Sequence, residues 1–242
     1  MSDGPRPERD KARESDEWIF RGMHVYRRRG ATVAYRPDAP FFTLADPIVD
    51  TKRTLLGYDR LYTFWQAVRN VAGVPGAAAE IGAYRGGSSW FIASALKQVC
   101  GVEVPLHVFD TFTGHPAAAV GEEDPHQEAG KFAKTSLDDV RALLSTFELV
   151  RIHPGDVLET MTELPEQQYR LVHIDTDLYR PTLACLDYFA PRLSSGGVIV
   201  IDDYESKKCP GVPKAVAEFM ARDHDRLQAW DMRTEQLMLI RR

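Results

Sequence analysis

Two apolar runs that both end in acid constrain this chain more than any other feature. One is Leu171-Val-His-Ile-Asp175-Thr-Asp177-Leu-Tyr179, the other Gly197-Val-Ile-Val-Ile-Asp202-Asp203-Tyr204. A short, nearly continuous run of β-branched and aliphatic residues is what a strand buried on both faces requires. One helix-length segment separates the two runs, so they read as successive parallel strands of a single sheet. Asp175, Asp202 and Asp203 then emerge together at its carboxyl edge. Three carboxylates crowded there repel one another, and a hard divalent cation with oxygen ligands relieves that repulsion.

The neighbouring sequence supplies the rest of such a sheet. Leu61, Phe64, Trp65 and Val68 recur at helical spacing, and Gly73 and Pro75 close that helix. Strands are expected at 77–81, 106–109, 149–153, 170–174 and 198–201. Helices are expected at 88–99, from Ser136 onward with a capping-box-like start, at 157–164, from Pro181 to about 193, and at 214–222. Residues 227–232 and 236–240 pair as a terminal hairpin. The fold class is therefore α/β: a Rossmann-like, doubly wound, mostly parallel seven-stranded sheet with a C-terminal antiparallel hairpin. It occupies residues 51–242, behind an N-terminal extension over 1–50. Within the extension, residues 1–15 read as disordered and Glu17–Arg29 as a helix ending in Arg27-Arg28-Arg29. Residues 30–50 read as irregular, broken by Pro37, Pro40 and Pro47. The polar stretch 113–135 reads as a mobile or functional loop.

Composition excludes several classes. A chain of 242 residues with 44% hydrophobic residues suits one large domain. A net charge of −5, with no basic stretch interleaved with aromatics, argues against nucleic acid as a partner. No run is long and apolar enough to span a membrane, and the N-terminus lacks the apolar core of a secretory signal. Cys100, Cys185 and Cys209 form neither a CxxC pair nor a zinc spacing, which fits a reducing cytoplasm.

Glu80-Ile-Gly82-Ala83-Tyr84-Arg85-Gly86-Gly87 lies at the first strand-to-helix junction. Glycines there let the backbone turn tightly and approach a ligand. The pattern is neither GxGxxG nor a Walker loop. A carboxylate at Glu80 repels a pyrophosphate but attracts a cation, which favours S-adenosylmethionine, with its ammonium and sulfonium, over NAD. A plain turn with Glu80 in solvent is the alternative. Asp110 closes the second strand, where an acid accepts hydrogen bonds from ribose hydroxyls; it is equally placed to cap the turn that follows.

With those residues in view, the chain resembles the macrocin O-methyltransferase family, class I metal-dependent enzymes that methylate sugar hydroxyls in bacterial natural products. The resemblance runs from about Thr54 to Phe219. It rests on residues 80–87, Asp110-Thr111-Phe112-Thr-Gly114, His173-Ile-Asp-Thr-Asp-Leu-Tyr179 and Gly196-Gly-Val-Ile-Val-Ile-Asp-Asp-Tyr204 in that order. It implies Mg²⁺ ligands at Asp175, Asp202 and Asp203, and a general base at Asp177. It implies S-adenosylmethionine contacts at Glu80, Gly82, Ala83, Tyr84, Arg85, Gly86, Asp110, Thr111 and Phe112, with further contacts at Thr54, Ser136 and Asp156. His115 and Tyr179 are candidate substrate contacts. The family often oligomerises through its N-terminal segment, so a homo-oligomer is expected, with the region around Trp18 as interface or lid. One departure stands out: Arg180-Pro181-Thr182 replaces the family's Glu-Ser-Thr, exchanging an acid beside the site for a cation. The acceptor expected is a small glycoside or sugar.

Structural alternatives accompany these roles. Asp202 and Asp203 also suit an Asx turn, and Asp177 a cap for the helix at Pro181. His126 and His153 suit surface positions; His173, Phe64 and Trp65 suit the core. Two other classes fit part of the pattern. A nucleotide-dependent oxidoreductase would need a phosphate loop and a Tyr/Lys pair, and Glu80 opposes it. A non-catalytic homologue would show damage to the acids, which the sequence does not.

Overall fold

The structure is a computed structural model that describes residues 27–28, 31–32, 39–222 and 225–242. The expected disorder over 1–15 and most of the helix expected around Trp18 lie outside the described residues. Arg27–Arg28 (β1) pairs antiparallel with Ala31–Thr32 (β2), so the arginines end no helix.

A helix, α1 (Ala39–Asp50), replaces the irregular stretch expected there. Phe41, Leu44, Ala45 and Ile48 follow helical spacing, and all are buried. Pro40 falls in the first turn, where its missing N–H costs little. Pro47 lies inside the helix, a penalty of about 3 kcal/mol. Burying Phe41, Leu44 and Ile48 contributes roughly 1.5–3 kcal/mol each, so packing overrides the proline.

Helix α2 (Tyr58–Asn70) precedes the alternating part of the chain. That part runs β3 (Ala77–Ile81), α3 (Gly87–Ser94), β4 (Leu106–Asp110), α4 (Leu137–Leu144), β5 (Val150–Pro154), α5 (Val157–Thr160), β6 (Tyr169–Ile174), α6 (Tyr179–Phe189), β7 (Leu193–Ile201) and α7 (Gly211–Met220). The hairpin β8 (Leu227–Asp231) and β9 (Leu237–Arg241) follows. Helix α3 continues as a π-turn segment over Ala95–Val99. The sheet order is β5-β4-β3-β6-β7-β9-β8. Strands β3 to β7 are parallel, and β9 joins β7 and β8 antiparallel.

Alternation along the buried strands feeds two cores. Ala78, Val108, Leu171 and Val200 face α1, α2 and α3, where Phe41, Trp65 and Phe91 pack. Ala79, Phe109, Val172 and Ile199 face α5, α6 and α7, with Phe189 and Phe219. The chain leaves β3 toward β4 and β5 on one side and returns through β6 and β7 on the other. The cleft outside the carboxyl ends of β3 and β6 is thus the switch point where open α/β sheets bind ligands. No helix among the described residues is long and apolar enough to cross a membrane.

Candidate active site

Register explains why the acids converge. Phe109, Ile81, Ile174 and Ile201 are Cα partners across β4, β3, β6 and β7. The residues that immediately follow them are Asp110, Gly82, Asp175 and Asp202, so four neighbouring strand ends deliver them to one rim. Gly82 must be glycine: a Cβ there would sit 1.9 Å from the Asp175 carbonyl oxygen, and its φ is +93°.

A cavity of about 410 Å³ opens over this rim, within the usual size of a small-molecule site. Asp175, Asp202 and Asp203 each present an oxygen within 4.8 Å of the others. Asp202 is only 2% exposed, and its Oδ1 is buried without a hydrogen-bond partner among the described residues. Burial pushes the Asp175 carboxyl well above the ordinary range, reinforced by Asp202 and Asp177. Burial also raises Asp202, to about 6, with Arg60 opposing.

Arg60, in the first turn of α2, was not singled out from sequence. Its Nη1 donates to Asp202 Oδ2 at 2.5 Å and to Asp203 Oδ1 at 3.1 Å, and its Nη2 to Glu235. Burial works against its charge, but Asp202, Asp203 and Asp175 outweigh burial and raise its pKa. Only tertiary contact reveals this residue, because Arg60 and Asp202 are remote in sequence.

Asp177 faces the same cavity by a route other than strand pleating. β6 ends at Ile174, and Asp177 has φ +59°; Asp203 has φ +57°. A left-handed conformation costs a non-glycine residue roughly 1–2 kcal/mol, and such outliers gather at functional sites. Cys209 Sγ lies 3.4 Å from both Asp177 Oδ1 and Asp203 Oδ2, which share its single S–H donor. His115 Nε2 lies 3.9 Å from Asp177 Oδ2. Burial pushes the Asp177 carboxyl up to about 8, aided by the Asp203 charge.

At the other end of the cavity, Asp110 accepts hydrogen bonds from Tyr84 N and Phe112 N, each at 2.7 Å. A carboxylate offers about four lone-pair sites, so two remain for a ligand. Gly82, Ala83, Tyr84, Thr111, Thr54 and Asp156 also line the wall. Thr54 Oγ1 accepts from Leu56 N at 3.1 Å, and Asp156 caps α5 through Leu158 N at 2.9 Å.

Six of the expected contacts fall outside the wall. Glu80 is neither in solvent nor facing a ligand. It is 0% exposed, accepts from the Ser89 hydroxyl and lies 3.0 Å from His173 Nδ1, because its position in β3 points to the α2 and α3 face. Arg85 donates to the Lys134 and Lys52 carbonyls. Gly86, at φ +77°, is the N-cap of α3 and packs against Val140. Phe112 packs on the core. Ser136 caps α4 by accepting from Asp139 N at 3.3 Å. Tyr179 turns outward, its hydroxyl donating to Glu218.

The 113–135 stretch has no helix or strand, yet it is pinned. His115 N donates to Lys131 O at 3.0 Å and Gly130 N to His115 O at 2.9 Å, closing its base. Asp124, 1% exposed, accepts from Tyr179 N at 2.9 Å and Gly121 N at 3.3 Å. Gln127 Nε2 donates to Lys208 O at 3.0 Å, and Arg180 Nη1 to Ala118 O at 3.1 Å. Arg180 therefore braces this loop rather than entering the cavity. The loop carries His115, Lys131 and Phe132 into the wall opposite Asp177.

The family model described as Macrocin-O-methyltransferase (TylF) matches residues 34–232. The chain belongs to the macrocin O-methyltransferase family. A Streptomyces olivaceus relative, 8-demethyl-8-(2,3-dimethoxy-alpha-L-rhamnosyl)-tetracenomycin-C 4'-O-methyltransferase, is 33% identical over 184 residues, covering 72% of this chain and 70% of the relative. The Mycinamicin III 3''-O-methyltransferase of Micromonospora griseorubida is 33% identical over 184 residues, covering 70% of each. The solved structure of the O-methyltransferase NovP superposes with a TM-score of 0.68 at 25% identity, covering 96% of this chain and 99% of that one. This macrocin O-methyltransferase family member is an O-methyltransferase, and its fold implies S-adenosylmethionine as methyl donor.

The residues present fit both groups that the family implies. Asp110 keeps acceptor capacity, of the kind ribose hydroxyls need, at one end of a cavity of small-molecule size. At the acidic end, the unpartnered Asp202 Oδ1 beside two further carboxylates is a donor set of the hard-oxygen kind that Mg²⁺ takes.

Proposed function

We propose that this enzyme methylates a sugar hydroxyl on a bacterial natural product, using S-adenosylmethionine and Mg²⁺. One observation carries the reading: Asp110 and the Asp175, Asp177, Asp202 and Asp203 group line a single cavity at the switch point. The two relatives are named for a rhamnosyl tetracenomycin and for mycinamicin III, and the rhamnosyl group of the first supports a glycoside acceptor.

Gly82, Ala83 and Tyr84 would border the methionine end of the donor, and Asp110, Thr111, Thr54 and Asp156 its nucleoside. Bound S-adenosylmethionine supplies a methyl group on a sulfonium leaving group, and bound Mg²⁺ supplies charge that lowers the pKa of a sugar hydroxyl. Asp175, Asp202 and Asp203 would hold the ion, and Asp177 would take up the proton that the sugar hydroxyl gives up as its oxygen accepts the methyl group. A positioned base of this kind contributes about 10²–10⁴-fold. Holding the acceptor oxygen roughly 3–3.5 Å from the methyl carbon contributes more. The wall of the 113–135 loop, with His115 facing Asp177, contacts the acceptor.

A panel of macrolide and aromatic polyketide glycosides, each paired with its sugar-free aglycone, tests the reading by mass spectrometry. Addition of one methyl to the sugar of a glycoside is expected. Methylation of aglycones in preference to glycosides would overturn the sugar assignment.

A further inference from the structure

Arg60 places a permanent positive charge against two of the three carboxylates assigned to the metal. Its Nη1 takes Asp202 Oδ2 and Asp203 Oδ1, while Asp202 Oδ1 has no partner among the described residues and Asp203 Oδ2 meets the Cys209 thiol. The guanidinium thus occupies one oxygen of each carboxylate and leaves the other to a weak donor or to none. It is held on its far side by Glu235, which is half-exposed and sits in the turn between β8 and β9. At its own backbone, Arg60 N donates to Asp59 Oδ1 at 2.9 Å. Ion pairs on both sides of the guanidinium fix a side chain whose ordering costs considerable rotamer freedom.

Charge gives the placement its consequence. Arg60 lowers the formal charge of Asp175, Asp202 and Asp203 from −3 to −2, while Glu235 beyond the guanidinium and Asp177 in the same cavity add charge that every variant at position 60 shares. Without Arg60 the same oxygens carry −3 and suit a trivalent ion. We propose that Arg60 is a resident counter-charge that matches this site to a divalent ion and stays in place when the ion binds. The inference rests on the metal reading above. A placeholder would behave differently: it would cover the carboxylates only until an ion displaced it. A fixed unit charge a few ångströms from the ion repels each added ionic charge, and at the effective dielectric of a partly buried site this is worth about tenfold or more in affinity.

The test is the ratio of Tb³⁺ to Mn²⁺ affinity, measured on the metal-stripped full chain by Tb³⁺ luminescence and Mn²⁺ competition. Taking a ratio cancels any loss of ligand geometry that weakens both ions alike. Arg60→Gln is expected to raise the ratio at least about tenfold, and Arg60→Lys, which keeps the charge, to leave it near the parent value. Arg60→Met replaces the glutamine variant if that one does not fold. An unchanged ratio in the neutral variant, or an equal rise in the lysine variant, overturns the counter-charge. Absence of Mn²⁺ binding by the parent enzyme overturns the metal reading itself and this inference with it. Binding with an unchanged ratio overturns the inference alone.

Discussion

Glu80 and His173 meet in full burial, with Oε1 and Nδ1 3.0 Å apart on adjacent strands that are in register at those two residues. The Ser89 hydroxyl donates to the other Glu80 oxygen, and Phe64 stands edge-on to the His173 ring at 4.2 Å. The contact ties the centre of the sheet to α3 and α2, directly behind the rim. Glu80→Ala would leave a histidine and a serine without their partner in the core. A loss of about 3–5 kcal/mol is expected. Urea unfolding measures it, and a loss below about 1 kcal/mol would contradict the pairing.

Asp177→Asn keeps the shape of the side chain and removes its capacity to take a proton. Turnover should fall about 10²–10⁴-fold, while calorimetry with S-adenosylhomocysteine gives an affinity within a factor of about three, a spread of less than 1 kcal/mol. Near-full turnover would remove Asp177 from the base role.

Asp124 fixes the 113–135 wall, proposed above to contact the acceptor, from outside the cavity. Asp124→Ala frees the Tyr179 and Gly121 amides and unpins the loop that carries His115. Acceptor KM should rise at least about fivefold, the equivalent of one lost hydrogen bond, with S-adenosylhomocysteine affinity unchanged. Asp124→Asn retains an oxygen for Tyr179 N and should lie nearer the parent. Equal damage to cofactor and acceptor binding would mean general unfolding of the rim instead.

His107 and His153, on β4 and β5, lie 2.9 Å apart. Burial lowers both, His107 to about 4. An unfolded histidine titrates near 6.5. Between those values the unfolded chain binds more protons, so this pair's contribution is complete above about pH 6.5 and lost as pH falls toward 4. The raised carboxyls of Asp177 and Asp202 act in the opposite direction, so the comparison must be with His107→Gln. From pH 7.5 to 5 the parent should lose up to about 2 kcal/mol relative to that variant in urea unfolding. Parallel stability curves would contradict the assignment.

Much of this site was legible in the sequence because strand ends and register are local matters. An apolar run ending in acid locates a carboxyl edge, and two such runs in succession locate a shared rim; Asp175, Asp202 and Asp203 follow from that alone. Side-chain direction was less accessible. Glu80 reads as a ligand contact by its place before the glycine loop, yet one step of strand alternation turns it to the opposite side. Tyr179 and Ser136 lie beside functional residues in sequence and point elsewhere once their helices form. Arg60 gave no signal, since its partners are supplied by β7 and the terminal hairpin. Helix α1 was hidden by its prolines, whose local cost is smaller than the burial that its spacing permits.

The proposed reaction is a metal-assisted methyl transfer at the rim that joins Asp175, Asp202 and Asp203. The most direct measurement is the initial rate of sugar methylation by EDTA-stripped enzyme, titrated with Mg²⁺ at saturating S-adenosylmethionine. No turnover is expected before Mg²⁺ is added, with saturable recovery afterwards and a rightward shift of the titration in Asp202→Asn. Full turnover in excess EDTA, with no response to added Mg²⁺, would contradict it.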